Sequence, residues 1–311
     1  MKYIKHIIYL STIFIFSSCD IGTIIPGEVG DIIIDVESTW SPNGYTIGYI
    51  GVTTEMTSGM FSVDTTGSNL NEISVPDLIS FPDWSPDGQW LVYSKYGNIF
   101  KRNIADNIEI QLTFIGGNRF PSWSNDGVWI AFHSNKDSPN GMSFIWKMKS
   151  DGSELKRIIY TPEDGEVKHP DWFPDGIRLV VIRSLLSHRS PEVCIIDTSG
   201  NTISVLTNDF SYDRYPKVSG RNEIVYQRDD NLGEICFIKA DGSNHKLLIP
   251  NSINPNWSPD GLKISYTNKI DGRIWIMSRD GTYKKEYLIK HYQCSIAFYK
   301  LRVNTLIIFN I

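Results

Sequence analysis

Apolar residues in this chain fall in short runs, and nearly every run ends at a Gly, Pro, Asn or Asp. Short apolar or alternating runs bounded by turn formers predict β-strands rather than helices. One stretch shows the plan in full. Phe81 to Ser85 is a predicted strand, Pro86-Asp87-Gly88 a turn, Trp90 to Ser94 the returning strand, Asn98 to Asn103 a third and Glu109 to Phe114 a fourth. Proline presets the first turn position, aspartate bonds its own backbone, and glycine accepts the positive φ that closes the hairpin.

The same phrase recurs at Trp40, Trp84, Trp123, Trp172 and Trp257, each followed by Ser or Phe, Pro or Asn, Asn or Asp, and Gly. A worn copy at Val218 keeps the preceding Pro216 but lacks the Trp, and its following strand begins one residue early. Successive copies start 44, 39, 49, 46 and 39 residues apart. That period suits four-stranded propeller blades and lies outside the range of leucine-rich repeats. Second glycine turns, at Gly67, Gly152, Gly200, Gly242 and Gly281, fall where a blade joins its third strand to its fourth. The expected fold is therefore an all-β, six-bladed β-propeller of four-stranded antiparallel blades, with the motif tryptophans filling the wedges between sheets. A fragmentary seventh blade from the tail is the alternative.

Composition narrows the class. The 311 residues are 41% hydrophobic and 21% charged, enough to bury a core and too apolar for disorder. A formal net charge of −5 gives no support to a nucleic-acid partner. At the start, Lys2, Lys5 and His6 precede an apolar run from Ile7 to Phe16 and then Ser17, Ser18 and Cys19. Ten apolar residues are too few to span a bilayer, so residues 1–18 read as an export signal. The segment resembles the bacterial lipoprotein signal, which implies lipidation of Cys19; an ordinary secretory start is the alternative, since Phe16 stands where such signals carry Leu. Cys194 and Cys236 occupy the column held by Phe100 and Trp146, and read as small core residues rather than a bridge or metal pair.

Both halves of the repeat, Pro-x-Trp-Ser-Pro-Asp-Gly and a following strand such as Ile274-Trp275-Ile276-Met277 before an Asp-Gly turn, recur in order over residues 37–289. In this the chain resembles the TolB propeller family. The resemblance implies a propeller exposed in the periplasm or on the cell surface and working through protein contacts. It would also place an α/β domain ahead of the propeller, whereas only residues 20–36 lie between Cys19 and blade one. Two segments are less patterned. Residues 31–36 are expected to add a strand to the last blade and fasten the ring, and residues 290–311 form an apolar tail without the motif.

Catalytic signatures are missing: no Gly-x-Ser-x-Gly, His-Glu-x-x-His or phosphate-binding glycine loop occurs. The histidines do not recur at one blade position, the Asp-Gly pairs lack a calcium-loop ligand series, and no acid, base or metal cluster is expected on the axis. The candidate site is the rim of the central channel. Phe81, Phe120, His169, Tyr215 and Asn254 stand directly before the motif prolines, with Ser80, Arg119, Lys168, Arg214 and Ile253 one residue earlier. Rings beside Arg119, Lys168 and Arg214 suit a peptide, a carboxylate or an anionic sugar. The expectation is a monomeric, cofactor-free, non-enzymatic scaffold, held in the cell envelope by its lipid and binding an envelope protein or peptide. Carbohydrate binding is the second possibility, and a lyase or hydrolase sited in the channel the third.

Overall fold

Each motif closes a hairpin by local chemistry. Ser85 accepts the Trp90 N–H through Oγ at 2.9 Å and donates to Asp87, whose carboxylate also takes the Gln89 N–H at 3.0 Å. Ser41 with Asn43, Ser124 with Asp126 and Ser258 with Asp260 repeat the arrangement. The closing glycine stands at φ 70° in Gly88 and φ 66° in Gly261, where any side chain would be strained. In blade five the turn is one residue shorter, Ser219 N bonding Glu223 O, and Asn222 takes the positive φ.

These hairpins assemble the computed structural model, which describes residues 32–53, 58–138, 140–158, 165–184, 190–229 and 233–286. Six four-stranded antiparallel sheets follow one another along the chain, each in sequence order from the channel outward. Their inner strands are Ile32–Trp40, Ile79–Trp84, Arg119–Trp123, Glu166–Trp172, Asp213–Val218 and Ser252–Trp257. The fold is thus the expected six-bladed propeller. Asn98–Asn103 is a strand as predicted, while the fourth strand of blade two is shorter, Glu109–Gln111, because its outer edge meets solvent.

Second strands are covered on both faces by neighbouring blades, so they read as continuous apolar runs: Leu91, Val92 and Tyr93 are all fully buried. Tyr49, Tyr93, Phe132, Val181, Tyr226 and Tyr266 share one column of these strands. The core is correspondingly divided into six wedges, each built by two adjacent blades. All five motif tryptophans lie in such wedges. Cys194 and Cys236 are buried in them as free thiols.

Ring closure differs from the expectation. Residues 32–36 do not add to the last blade; they extend the inner strand of blade one, where Ile34 pairs with Val52 and Val36 with Ile50. Blade six is complete within Ser252–Glu286. The ring closes instead by packing, with Trp40, Tyr49 and Phe61 of blade one against Ile274 and Ile276 of blade six. Side-chain bonds reinforce the seam: Trp40 Nε1 and Ser38 Oγ both donate to Ser265 Oγ, at 3.0 and 2.8 Å. Cys19 and residues 290–311 lie outside the described residues.

The wedge between blades four and five lacks a motif tryptophan, because blade five carries Val218 there. Phe173, which replaces the motif serine in blade four, is fully buried in that same wedge and Val218 packs against it. The two departures from the repeat compensate in volume. Restoring the repeat residue by Phe173→Ser is expected to cost about 3–5 kcal/mol of unfolding free energy, as for a large aromatic truncated in a core. Adding Val218→Trp should recover part of the loss, measured as non-additivity in chemical denaturation of the single and double variants.

Candidate functional site

Every inner strand carries the same irregularity three residues before its motif Trp. The ladder slips between Ser80 and Asp83, between Lys168 and Asp171, between Arg214 and Lys217, and at the matching points of the other blades. The residue at the slip is left-handed in all six: Glu37 (φ 54°), Phe81 (56°), Phe120 (55°), His169 (53°), Tyr215 (50°) and Asn254 (53°). Five of these precede proline, a position that ordinarily favours extended backbone. The bulge turns the backbone N–H away from its own sheet, and in four blades a side chain of the preceding blade accepts it. Glu37 Oε2 takes the Phe81 N–H at 2.5 Å, Ser94 Oγ that of Phe120 at 3.2 Å, His133 Nδ1 that of His169 at 3.3 Å, and Gln227 Oε1 that of Asn254 at 3.0 Å.

The six bulge residues ring a channel cavity of about 60 Å³. That is room for a few waters. Above it the rings stack on one another: Phe81 on Phe120 with centroids 3.4 Å apart, Phe120 on Tyr215 at 5.3 Å, and His169 against both Phe120 (4.2 Å) and Tyr215 (4.7 Å). The structure therefore brings Phe81, Phe120, His169 and Tyr215 together as a plug rather than as a row of free faces.

The cations at the mouth are unequal. Arg214 pairs with Asp229 at 2.8 Å and Lys168 with Glu166 at 2.6 Å, so the mouth is less basic than its sequence suggested. Arg119 is exposed and has no acidic partner among the described residues. Ser80 and Ile253, at the same position, bring no charge.

One layer deeper lies a polar ring that the sequence reading did not predict. It comes from the residue between the motif Pro and Trp: Thr39, Asp83, Ser122, Asp171, Lys217 and Asn256. Lys217 Nζ bonds Asp171 at 2.9 Å, and Asp171 also accepts the Val218 N–H (2.8 Å) and the Ser122 hydroxyl (3.1 Å). Asp83 accepts the Trp123 N–H at 2.8 Å. Burial alone would pull the Lys217 ammonium down, yet Asp171 and Asp83 hold it above its ordinary value. Burial pushes the Asp83 carboxyl up to about 6, with Lys217 opposing and Asp171 adding to the rise. Acid and base groups thus do gather on the axis, contrary to the expectation, because blades distant in sequence converge there. They bond backbone N–H groups and one another.

Glu37 was also missed, because blade one has Ser38 where the other copies have proline; counting three back from Trp40 finds it. It keeps some surface in the channel but is enclosed by the ring, and burial pushes its carboxyl up to about 7, the Phe81 N–H opposing. His133 is its opposite. Burial, with Lys168 and Arg119 nearby, holds the imidazole at about 3, so Nδ1 stays free to accept. His169 is likewise held well below its ordinary value by burial, with His133 and the neighbouring cations adding to the effect.

A six-bladed propeller whose channel mouth is closed by aromatic rings is the class these features define. The family model described as the TolB beta propeller domain matches residues 31–253, and the chain belongs to that family. It is 28% identical over 193 residues to the uncharacterized protein Atu1656 of Agrobacterium fabrum, an alignment covering 59% of this chain and 52% of that protein. The chain therefore spans about half the length of that relative. Among solved structures, TolB from Acinetobacter baumannii superposes with a TM-score of 0.67 at 22% identity, over 77% of this chain and 62% of that one. The tricorn protease superposes with a TM-score of 0.65 at 18% identity, over 84% of this chain and 27% of that one. At these identities the structural likeness is one of fold.

Because the folded Glu37 carboxyl binds its proton more tightly than the unfolded one, its contribution is greatest below about pH 4.5 and is lost as pH rises through about 7. Glu37→Gln keeps the acceptor for the Phe81 N–H and removes the charge. The variant is expected to match wild type near pH 5 and to exceed it by about 1–3 kcal/mol at pH 8. Denaturation midpoints at the two pH values check this, and taking the difference between the proteins cancels the opposite trend of the buried histidines.

Proposed function

We propose that this propeller is a non-enzymatic binding scaffold of the cell envelope, tethered through lipid on Cys19, and that it engages a protein or peptide partner across the channel mouth. The observation that carries the proposal is the ring cluster at the mouth: Phe81, Phe120 and Tyr215 stacked on one another and His169 tilted against two of them, beside the exposed Arg119, which has no acidic partner among the described residues. A channel cavity of about 60 Å³ lined by these rings favours a surface to bind against over a pocket for a small substrate. Such a surface favours an extended partner that buries aromatic edges and presents a carboxylate to the guanidinium. The axial carboxylates and Lys217 lie beneath the plug and serve as internal struts between blades. The stacking of Phe81, Phe120 and Tyr215 on one another uses the ring faces that a sugar would need, which argues against the carbohydrate reading. Membership of the TolB propeller family supports a role through protein contacts, and the signal resemblance at residues 1–19 supports the envelope address.

Crosslinking capture from envelope extract tests the partner class, with a glycan array run beside it. Arg119→Ala is expected to weaken capture about tenfold, the loss of one charge-assisted hydrogen bond of roughly 1.5–3 kcal/mol. Arg214→Ala should do less, because its guanidinium is already committed to Asp229. Capture unchanged in Arg119→Ala, or a glycan hit without protein capture, would overturn the assignment. Radiolabelled palmitate should label wild type and not Cys19→Ala.

A further inference from the structure

The crossover into each inner strand must be tied to the seam it enters, and two seams do so with matching residues of opposite chemistry. Between blades two and three the tie is Asn118, 1% exposed. Its Nδ2 donates to Thr113 Oγ1 at 3.1 Å, Asn98 Oδ1 at 3.4 Å, and the carbonyls of Ile115 and Gly116 at 3.0 and 3.4 Å. Thr113 in turn accepts the Ile99 N–H at 2.8 Å and donates to Asn98 at 3.3 Å.

Between blades four and five the three side-chain positions of this network recur. Thr207 accepts the Val193 N–H at 2.9 Å and donates to Glu192 at 2.8 Å, so Thr207 stands for Thr113 and Glu192 for Asn98. Asp213 precedes Arg214 as Asn118 precedes Arg119. The central donor has therefore become an acceptor. Asp213 is fully buried, and neither of its carboxylate oxygens has a hydrogen-bond partner. The Thr207 hydroxyl has a single hydrogen, and Glu192 receives it. Arg228 Nε stands 3.7 Å from Asp213 Oδ1, beyond hydrogen-bond reach and itself unsatisfied, while its Nη2 goes to Asp209 at 2.7 Å. Arg183, the cross-strand partner of Glu192, sends Nη1 to the Thr202 hydroxyl.

Carboxylate oxygens of Glu192, Asp209 and Asp213 all lie within 4.8 Å of one another. Two of the three side chains are almost wholly buried, Glu192 at 1% and Asp213 at 0%. Three carboxylates crowd this seam against the Arg228 guanidinium, with Arg183 beside Glu192, and a bound cation would relieve the repulsion among them. Burial pushes the Asp213 carboxyl up to about 7, with the nearby Thr207 hydroxyl and Arg228 opposing and Asp209 and Glu192 adding to the rise. All the donors are hard oxygens, which select Ca²⁺ or a similar divalent ion over Zn²⁺, and metal–oxygen distances of about 2.3–2.6 Å span such a cluster.

We propose that Glu192, Asp209 and Asp213 bind a divalent cation of the calcium class in the seam between blades four and five, where the ion replaces the tie that the Asn118 amide supplies between blades two and three. The ligands come from the third strand of blade four, the crossover and the inner strand of blade five. The ion would therefore fasten the crossover that delivers Arg214 and Tyr215 to the channel mouth. This site is separate from the channel and does not depend on the scaffold reading.

The test is thermal unfolding of the chelator-treated full chain titrated with Ca²⁺, Mg²⁺ and Mn²⁺, with calorimetric titration of Ca²⁺ alongside. Wild type is expected to gain melting temperature saturably, Ca²⁺ being the most effective. Asp213→Asn should bind Ca²⁺ at least tenfold more weakly, yet melt at or above wild type in chelator, because it restores the amide donor of the other seam. Asp209→Asn, which alters the half-exposed ligand, provides the second variant should Asp213→Asn fail to fold. The proposal is overturned if no divalent ion shifts wild type at millimolar concentration, or if the response survives in these variants.

Discussion

The propeller depends on one backbone event repeated six times. Each inner strand must turn a peptide out of its own ladder, and a buried N–H so exposed needs an acceptor from elsewhere. In four blades the preceding blade supplies it, through the side chains of Glu37, Ser94, His133 and Gln227. The bulge that aims a side chain into the channel is therefore the same feature that couples neighbouring sheets. This explains why chemically unlike residues share one column: what the column requires is a lone pair at the right place. Ile50 stands at the matching point of blade one and has none, so the bulge residue Glu37 provides the acceptor for Phe81 itself.

The second constraint is volume. Six wedges must be filled around the ring, and since among the described residues no strand of one chain end joins the blade of the other, the seam rests on packing and on the Ser38, Trp40 and Ser265 contacts. Where the repeat wears down, compensation comes from the preceding blade rather than from within the blade. Phe173 filling the space left by Val218 is the clearest case. Polar seams vary in the same manner, from the neutral amide network at Asn118 to the carboxylates at Asp213, while the threonine that caps the third strand stays constant.

Function at the channel mouth follows from this economy. The rings pack on one another at the channel mouth, and the ionisable groups below them bond backbone N–H donors and one another. Of the three mouth cations, two are paired with acids from their own blades, while Arg119 is exposed and has no acidic partner among the described residues.

The sequence by itself determined the architecture, because turn chemistry and apolar periodicity are local: Ser-Pro-Asp-Gly dictates its hairpin wherever it occurs, and six copies dictate six blades. It also located the bulge column, since proline marks five of the six positions, and it failed at Glu37, where the marker is absent. What it could not decide is anything that arises between blades. The Asp171–Lys217 pair joins residues 46 apart, and the aromatic plug joins residues from four blades. That Arg119, among the described residues, is the mouth cation without an acidic partner emerges only once Glu166 and Asp229 are seen to reach its neighbours. Blade placement around the axis, a tertiary quantity, decides which side chains meet, and with it which charges are spent and which remain available.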